Sequence, residues 1–155
     1  MTAGIETFDF VLRLSIAALL AGIIGIDREI RNKTMGLRTL MLVSTGAALF
    51  TMLGIELTGA AKEYVEIDPA RVLQGVVSGI GLIAMGGVMH KDDRVRGATT
   101  GASVWVVGSI GAACGLGLYV QAAVATTIAA FIVIILGALE RAVQRWARSR
   151  RDESP

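Results

Sequence analysis

The chain has 155 residues and a formal charge of +2; 54% of its residues are hydrophobic and 18% charged. Its mean hydropathy is +0.64. Soluble domains carry more charge and shorter apolar runs, so this composition excludes a water-soluble globular protein and indicates an all-α polytopic membrane protein. No nucleic-acid partner is expected, and the lone Cys114 forbids an intramolecular disulfide.

The first residues hold Glu6 and Asp9 but no Lys or Arg, which does not suit a removable signal peptide. The first apolar block spans about 8–26. Glu6, Asp9 and Arg13 recur at i, i+3 and i+7, one face of a helix. The simplest reading is a snorkelling Arg13 paired with Asp9; the functional one is a polar mouth, since ionisable groups in membrane segments often mark sites. A charged turn follows, with Asp27, Arg28, Glu29, Arg31, Lys33 and Arg38. The second block spans about 38–57.

Between blocks two and three, Lys62 and Arg71 are set against Glu63, Glu66 and Asp68. Asp68-Pro69 reads as a helix cap followed by proline in the first turn. The third block spans about 71–89 and the next turn carries Lys91, Asp92, Asp93, Arg94 and Arg96. From Gly97 to Leu139 there is no Asp, Glu, Lys, Arg or His. One crossing needs about 20 apolar residues, so this run holds two, broken at Gly115-Leu116-Gly117 into about 98–115 and 119–139. Only helices suit intervals this long and this uniformly apolar. Five transmembrane helices result, forming one domain over residues 1–140. The tail, 141–155, is basic: Arg141, Arg145, Arg148, Arg150 and Arg151. It reads either as a plain orientation signal or as a short amphipathic helix on anionic lipid, with Trp146 at the interface.

Lys and Arg concentrate in the 27–38 turn, the 90–97 turn and the tail. The positive-inside rule then places these in the cytoplasm and the N-terminus outside. Both turns end alike: Gly36-Leu37-Arg38-Thr39 leads to Gly46-Ala47-Ala48, and Arg96-Gly97-Ala98-Thr99-Thr100 leads to Gly111-Ala112-Ala113. Spans 1–2 and 3–4 are therefore readable as a parallel repeat of two hairpins, with one further helix. Small residues recur at helix-neighbour spacing, as in Ala18/Gly22, Ala21/Gly25, Gly75/Gly79, Gly97/Gly101 and Gly111/Gly115, so Gly22, Gly25, Gly75, Gly79, Gly81, Gly97 and Gly101 are expected in helix packing. Span 5 reads as the most lipid-facing.

Chemistry has few candidates. Asp27, Glu29, Asp92 and Asp93 lie at one face, and magnesium prefers carboxylates, but no spacing resembles an ion cage; pairing between the two turns is the better reading. Asp9, Arg13, Asp68 and Arg71 make up an outer polar face. Ser44, Thr45, Thr51, Ser78, Ser103 and Ser109 offer hydroxyls for bonds across helices. His90 sits alone at a helix end. Gly79-Ile80-Gly81-Leu82-Ile83-Ala84 fits GxGxxA but lies within a span, not after a strand, so nucleotide binding is rejected. Asn32-Lys33-Thr34 fits a glycosylation site on the wrong side of the membrane. No nucleophile–base set is visible and no enzyme is expected. No cofactor is expected either, Mg²⁺ remaining a candidate ion; the metal ligands are open.

Three stretches together resemble the MgtC/SapB family. They are Gly25-Ile26-Asp27-Arg28-Glu29-Ile30-Arg31 with Gly36-Leu37-Arg38-Thr39; Asp68-Pro69-Ala70-Arg71 with Val76-Val77-Ser78-Gly79-Ile80-Gly81; and Val95-Arg96-Gly97 with Thr99, Thr100, Ala102, Ser103 and Trp105. The resemblance covers about 15–140. Here Asp27 replaces a more usual Glu, Leu40 follows Thr39 where His or Asn is frequent, and GIGLIAMGG stands where the family has GIGFLGAG. Many members add a soluble C-terminal regulatory domain, which is not expected here. The resemblance implies a five-helix bacterial inner-membrane domain, magnesium homeostasis and adaptation to low magnesium, and, in pathogens, virulence inside host cells. It implies action by binding or regulating other membrane proteins, such as the proton-translocating ATP synthase. The sequence-level hypothesis is that Asp27, Arg28, Glu29, Arg38 and Thr39 join Arg96, Thr99 and Thr100 in a cytoplasmic motif cluster. In it Arg28, Glu29, Arg38 and Arg96 ion-pair and hold the hairpins together. Two functions stand: a regulatory or scaffolding membrane protein, acting as a homodimer, or a magnesium or other cation transporter.

Overall fold

In the computed structural model, the described residues are 6–61, 68–91 and 94–139, with the single positions 143 and 146. They form five helices: α1 (Thr7–Ile30), α2 (Leu37–Ala61), α3 (Pro69–Met85), α4 (Ala98–Gly115) and α5 (Tyr119–Ala130), the last continuing through a π-helical segment, Phe131–Leu136. Of the basic tail, read as an amphipathic helix or an orientation signal, only Val143 and Trp146 are described, both helical and exposed; the rest lies outside the described residues.

Helix α4 is the axis of the fold, in contact with each of the other four helices. Its composition explains why. It is rich in Gly, Ala, Ser and Thr, so neighbouring backbones come close, as small residues allow in lipid. A Cβ at Gly111 would overlap the Ser44 carbonyl of α2, and one at Gly115 would lie 2.6 Å from the Ala48 carbonyl. A Cβ at Gly108 would overlap the Ile80 side chain of α3, and one at Gly101 would lie 3.0 Å from the Ala84 carbonyl. Ser44 also donates across to Ala17 of α1 at 3.0 Å. The core is built accordingly of Ala17, Ala21, Ile24, Leu40, Ala48, Val104, Val107 and Ile110.

The outer shell is the reverse. Leu19, Leu42, Phe50, Leu82, Val120 and Ile128 are all more than half exposed. A continuous apolar exterior is what a bilayer requires of its helices. Among the described residues, three helices are long and apolar enough to cross a membrane: Thr7–Ile30, Leu37–Thr58 and Tyr119–Leu139. A shorter apolar helix, Ala70–Met85, is the fourth apolar element, and α4 lies enclosed among the others.

Two expectations are corrected in detail. The third helix ends at Met85, not 89, where Gly86 and Gly87 follow, and glycine gives up the most conformational freedom when held in a helix. The 90–97 turn is not a simple loop: β1 (Met89–Lys91) pairs antiparallel with β2 (Arg94–Arg96), Met89 facing Arg96. Gly97 then enters α4 with φ +90°, and a Cβ there would overlap the Gly87 carbonyl. The first turn is closed differently, by side-chain contacts and by Asn32 and Met35 in the left-handed region. The two turns read as repeats are thus built by different means.

Candidate functional site

The charged segment at the end of α1 builds the most developed polar site. Arg28 is 3% exposed. Its Nε donates to the Met35 carbonyl at 3.0 Å, and Nη2 donates to the Thr34 carbonyl at 2.9 Å. Nη2 also donates to Thr100 Oγ1 at 2.7 Å, and Nη1 to Ser103 Oγ at 3.3 Å. The rigid guanidinium fork therefore gathers the first turn with one side and α4 with the other. Ser103 in turn donates to the Thr99 carbonyl at 2.8 Å, which leaves its lone pairs to the arginine. Thr100 and Ser103 sit at i and i+3, the spacing that puts both hydroxyls on one face of α4.

Glu29 serves the same turn from outside. Its Oε2 accepts the Leu37 N–H at 3.0 Å, which satisfies a donor at the start of α2 that the helix itself cannot. Gly36 lies directly beneath that carboxylate, where a Cβ would overlap Oε2. The Glu29 and Gly36-Leu37 motifs are therefore one capping device. Gly25 belongs with it: a Cβ there would lie 2.8 Å from Leu37 Cα.

The ion-paired cluster expected among Arg28, Glu29, Arg38 and Arg96 is corrected by this geometry. Arg28 is held by neutral oxygens, Glu29 by a backbone amide, and Arg38 is exposed, with no ion pair among the described residues. The Arg96 side chain lies outside what is described. Asp27 pairs within its own helix, accepting from Arg31 Nε at 2.6 Å; its Oδ2 is buried with no hydrogen-bond partner. Thr39 is half-buried and Thr99 exposed. Asp92 and Asp93 are outside the described residues. Among those described, no group of three metal-ligating side chains converges.

A second arginine of α1 works at the opposite end of α4. Arg13 pairs with Asp9, Nε to Oδ2 at 2.8 Å, and its Nη1 donates to the Gly115 carbonyl at 2.7 Å. A cation on the last carbonyls of a helix is favourable. The Tyr119 hydroxyl approaches Asp9 Oδ1 at 3.4 Å, drawing in α5. Antiparallel α1 thus grips α4 at both ends. Asp68 and Arg71, grouped with this face in the sequence, stand apart from it. Asp68 caps α3 by accepting the Ala70 N–H at 2.9 Å, and Arg71 is exposed beside α2.

The glycines divide as sharply. A Cβ at Gly22 would make only ordinary contact with Leu37 and Met41, at 3.7–3.8 Å. Gly97 and Gly101 abut the end of α3. Gly75, Gly79 and Gly81 have nothing within 4 Å of where a Cβ would stand, so the packing expected of them is not made among the described residues. The small-residue pairs in the sequence do not point to Gly108, and Ser103 stands there as a helix-bonding hydroxyl and as part of the third family-like stretch; its spacing from Thr100 is the signal that joins it to Arg28.

Residues 14–142 match the sequence model of the MgtC family. The chain belongs to the MgtC family. It is 38% identical over 117 residues to the protein described as putative magnesium transporter YhiD of Escherichia coli K12, covering 73% of this chain and 54% of that protein. It is 38% identical over 121 residues to protein MgtC of Salmonella typhimurium 14028s, covering 78% and 49%. To protein SapB of Bacillus subtilis 168 it is 34% identical over 117 residues, covering 74% and 50%. The chain spans about half the length of these relatives. No solved structure matches it. The matched region contains Arg28 with its partners Thr100 and Ser103, and Gly115 and Tyr119, but begins just after Asp9 and Arg13.

Proposed function

We propose that this chain is a bacterial inner-membrane protein supporting magnesium homeostasis and adaptation to low magnesium by binding or regulating another membrane complex. In this reading it crosses the bilayer five times, two hairpins of the same sense and a final helix, with the N-terminus outside and the C-terminus in the cytoplasm. It works as a homodimer or against a partner such as the proton-translocating ATP synthase. The observation that carries it is the seam around α4. Helix backbones there meet without room for a Cβ, and the cytoplasmic end is occupied by the cationic Arg28. A tightly closed, arginine-ended axis suits a rigid body that presents surfaces to partners, whereas a magnesium path would need acceptors at the midplane.

The second reading, cation transport, is favoured by the name of the Escherichia coli relative. Magnesium flux into liposomes with an entrapped magnesium dye separates the two. The proposal expects folded, inserted protein to give no flux above empty liposomes while still restoring growth in magnesium-poor medium to a host lacking its own copy. Saturable, protein-dependent flux would replace it with transport.

A further inference from the structure

An apolar groove of about 770 Å³ runs between α2 and α3. Along α2 it extends from Leu42 to Leu57, about 22 Å at the usual helical rise. Its floor is made of glycine: Gly46 on α2 and Gly75 and Gly79 on α3 each have open space where a Cβ would stand. Phe50 and Leu53 wall it on one side. At one mouth stands Arg71, the one charged lining residue among those described.

Arg71 is exposed and makes no side-chain hydrogen bond or ion pair among the described residues. Its neighbour Asp68 is occupied in capping α3. Glu56 of α2 is exposed as well and does not pair with it. The groove therefore combines a long apolar channel with, among the described residues, one cation at its end that has no partner. A phospholipid with an anionic headgroup has the complementary form: a phosphate for the guanidinium, which binds such oxygens with two parallel hydrogen bonds, and an acyl chain for the channel. One leaflet's chain spans about 15 Å, half of the hydrocarbon core, so the groove is long enough to hold it. Glycines on a helix wall let a chain lie close against the backbone, where larger side chains would hold it off.

We propose that the α2–α3 groove binds one anionic phospholipid, its phosphate on Arg71 and one acyl chain against Gly46, Gly75 and Gly79. The inference requires only that the bundle lies in a bilayer; it is independent of whether the protein regulates or transports.

The test is native mass spectrometry of the full chain in non-ionic detergent, titrated with phosphatidylglycerol and phosphatidylcholine of the same acyl chains. Phosphatidylglycerol should occupy one site in preference. Arg71→Gln should cut that preference about fivefold, the worth of one arginine beside an anionic headgroup. Lys33→Gln, removing an exposed cation at the other end of the bundle, should leave it unchanged. Gly75→Leu should suppress both lipids by filling the groove at a position where an added Cβ meets no described atom; unaltered thermal unfolding checks that the fold survives. A preference that survives Arg71→Gln, or that falls equally with Lys33→Gln, overturns the site. So do adducts that persist in Gly75→Leu, and so does a dimer that Gly75→Leu separates, which would give the groove to a second copy of the chain.

Discussion

Helices α3 and α4 are close in length, 17 and 18 residues, and both are glycine-rich, yet their glycines do opposite things. In α4, Gly101, Gly108, Gly111 and Gly115 are pressed against other helices, two of them against backbone carbonyls of α2. In α3, Gly75, Gly79 and Gly81 meet nothing among the described residues. What differs is which face is occupied. The packed side of α3 carries Val76, Ile80 and Ala84 at i, i+4 and i+8, and its glycines lie off that stripe. Small-xxx-small spacing marks a surface where a backbone could approach closely; it does not say whether the same chain supplies that backbone.

Substitutions sharpen the contrast, from the largest effect down. Gly111→Ala drives a methyl into the Ser44 carbonyl and should destabilise the bundle by about 3 kcal/mol, the upper range for overpacking, read as a lowered Tm in detergent. An unchanged Tm would show that α2 and α4 separate freely. Arg28→Gln withdraws charged donors from Thr100, Ser103 and two turn carbonyls. About 2 kcal/mol is expected from the loss of charge-assisted hydrogen bonds, measured by chemical unfolding in micelles. Glu29→Ala uncaps Leu37 and should cost about 1 kcal/mol. Its predicted signature is faster amide exchange confined to the first turn of α2. Smallest, and of opposite sign, Gly79→Ala should stabilise α3 by about 0.5–1 kcal/mol, because the added methyl meets no atom and relieves glycine's entropic cost. If Gly79→Ala destabilised instead, α3 would be packed and the comparison would fail.

The sequence was most legible where lipid sets the composition. The long apolar runs of α1, α2 and α5 stand out because their outer faces meet hydrocarbon. The charge-free run after Gly97 and its Gly115–Gly117 break also read correctly as two helices. Helix α4 was readable as an apolar stretch but not as the axis, since burial among helices and burial in lipid leave similar hydropathy; only its Gly, Ser and Thr content hints at protein neighbours. The β1–β2 pairing was hidden because charged three-residue strands carry no alternation to detect. At the site, Arg28 and Thr100 were picked out together. The sequence points Arg28 toward ion pairs with Glu29, Arg38 and Arg96 rather than toward Thr100, because charge is visible in a sequence whereas the Thr34 and Met35 carbonyls that hold it are not. The same holds for Arg13: its pairing with Asp9 follows from helix spacing, but its grip on the Gly115 carbonyl spans the whole chain.

The central claim is that Arg28 of α1 fastens the first turn to α4 through Thr100. A double-mutant cycle with Arg28→Gln and Thr100→Val, scored by unfolding free energy, tests it directly. The two changes should couple by about 1 kcal/mol or more, within the range for residues in one hydrogen-bond network. Additivity to within about 0.5 kcal/mol, the behaviour of independent sites, would contradict it.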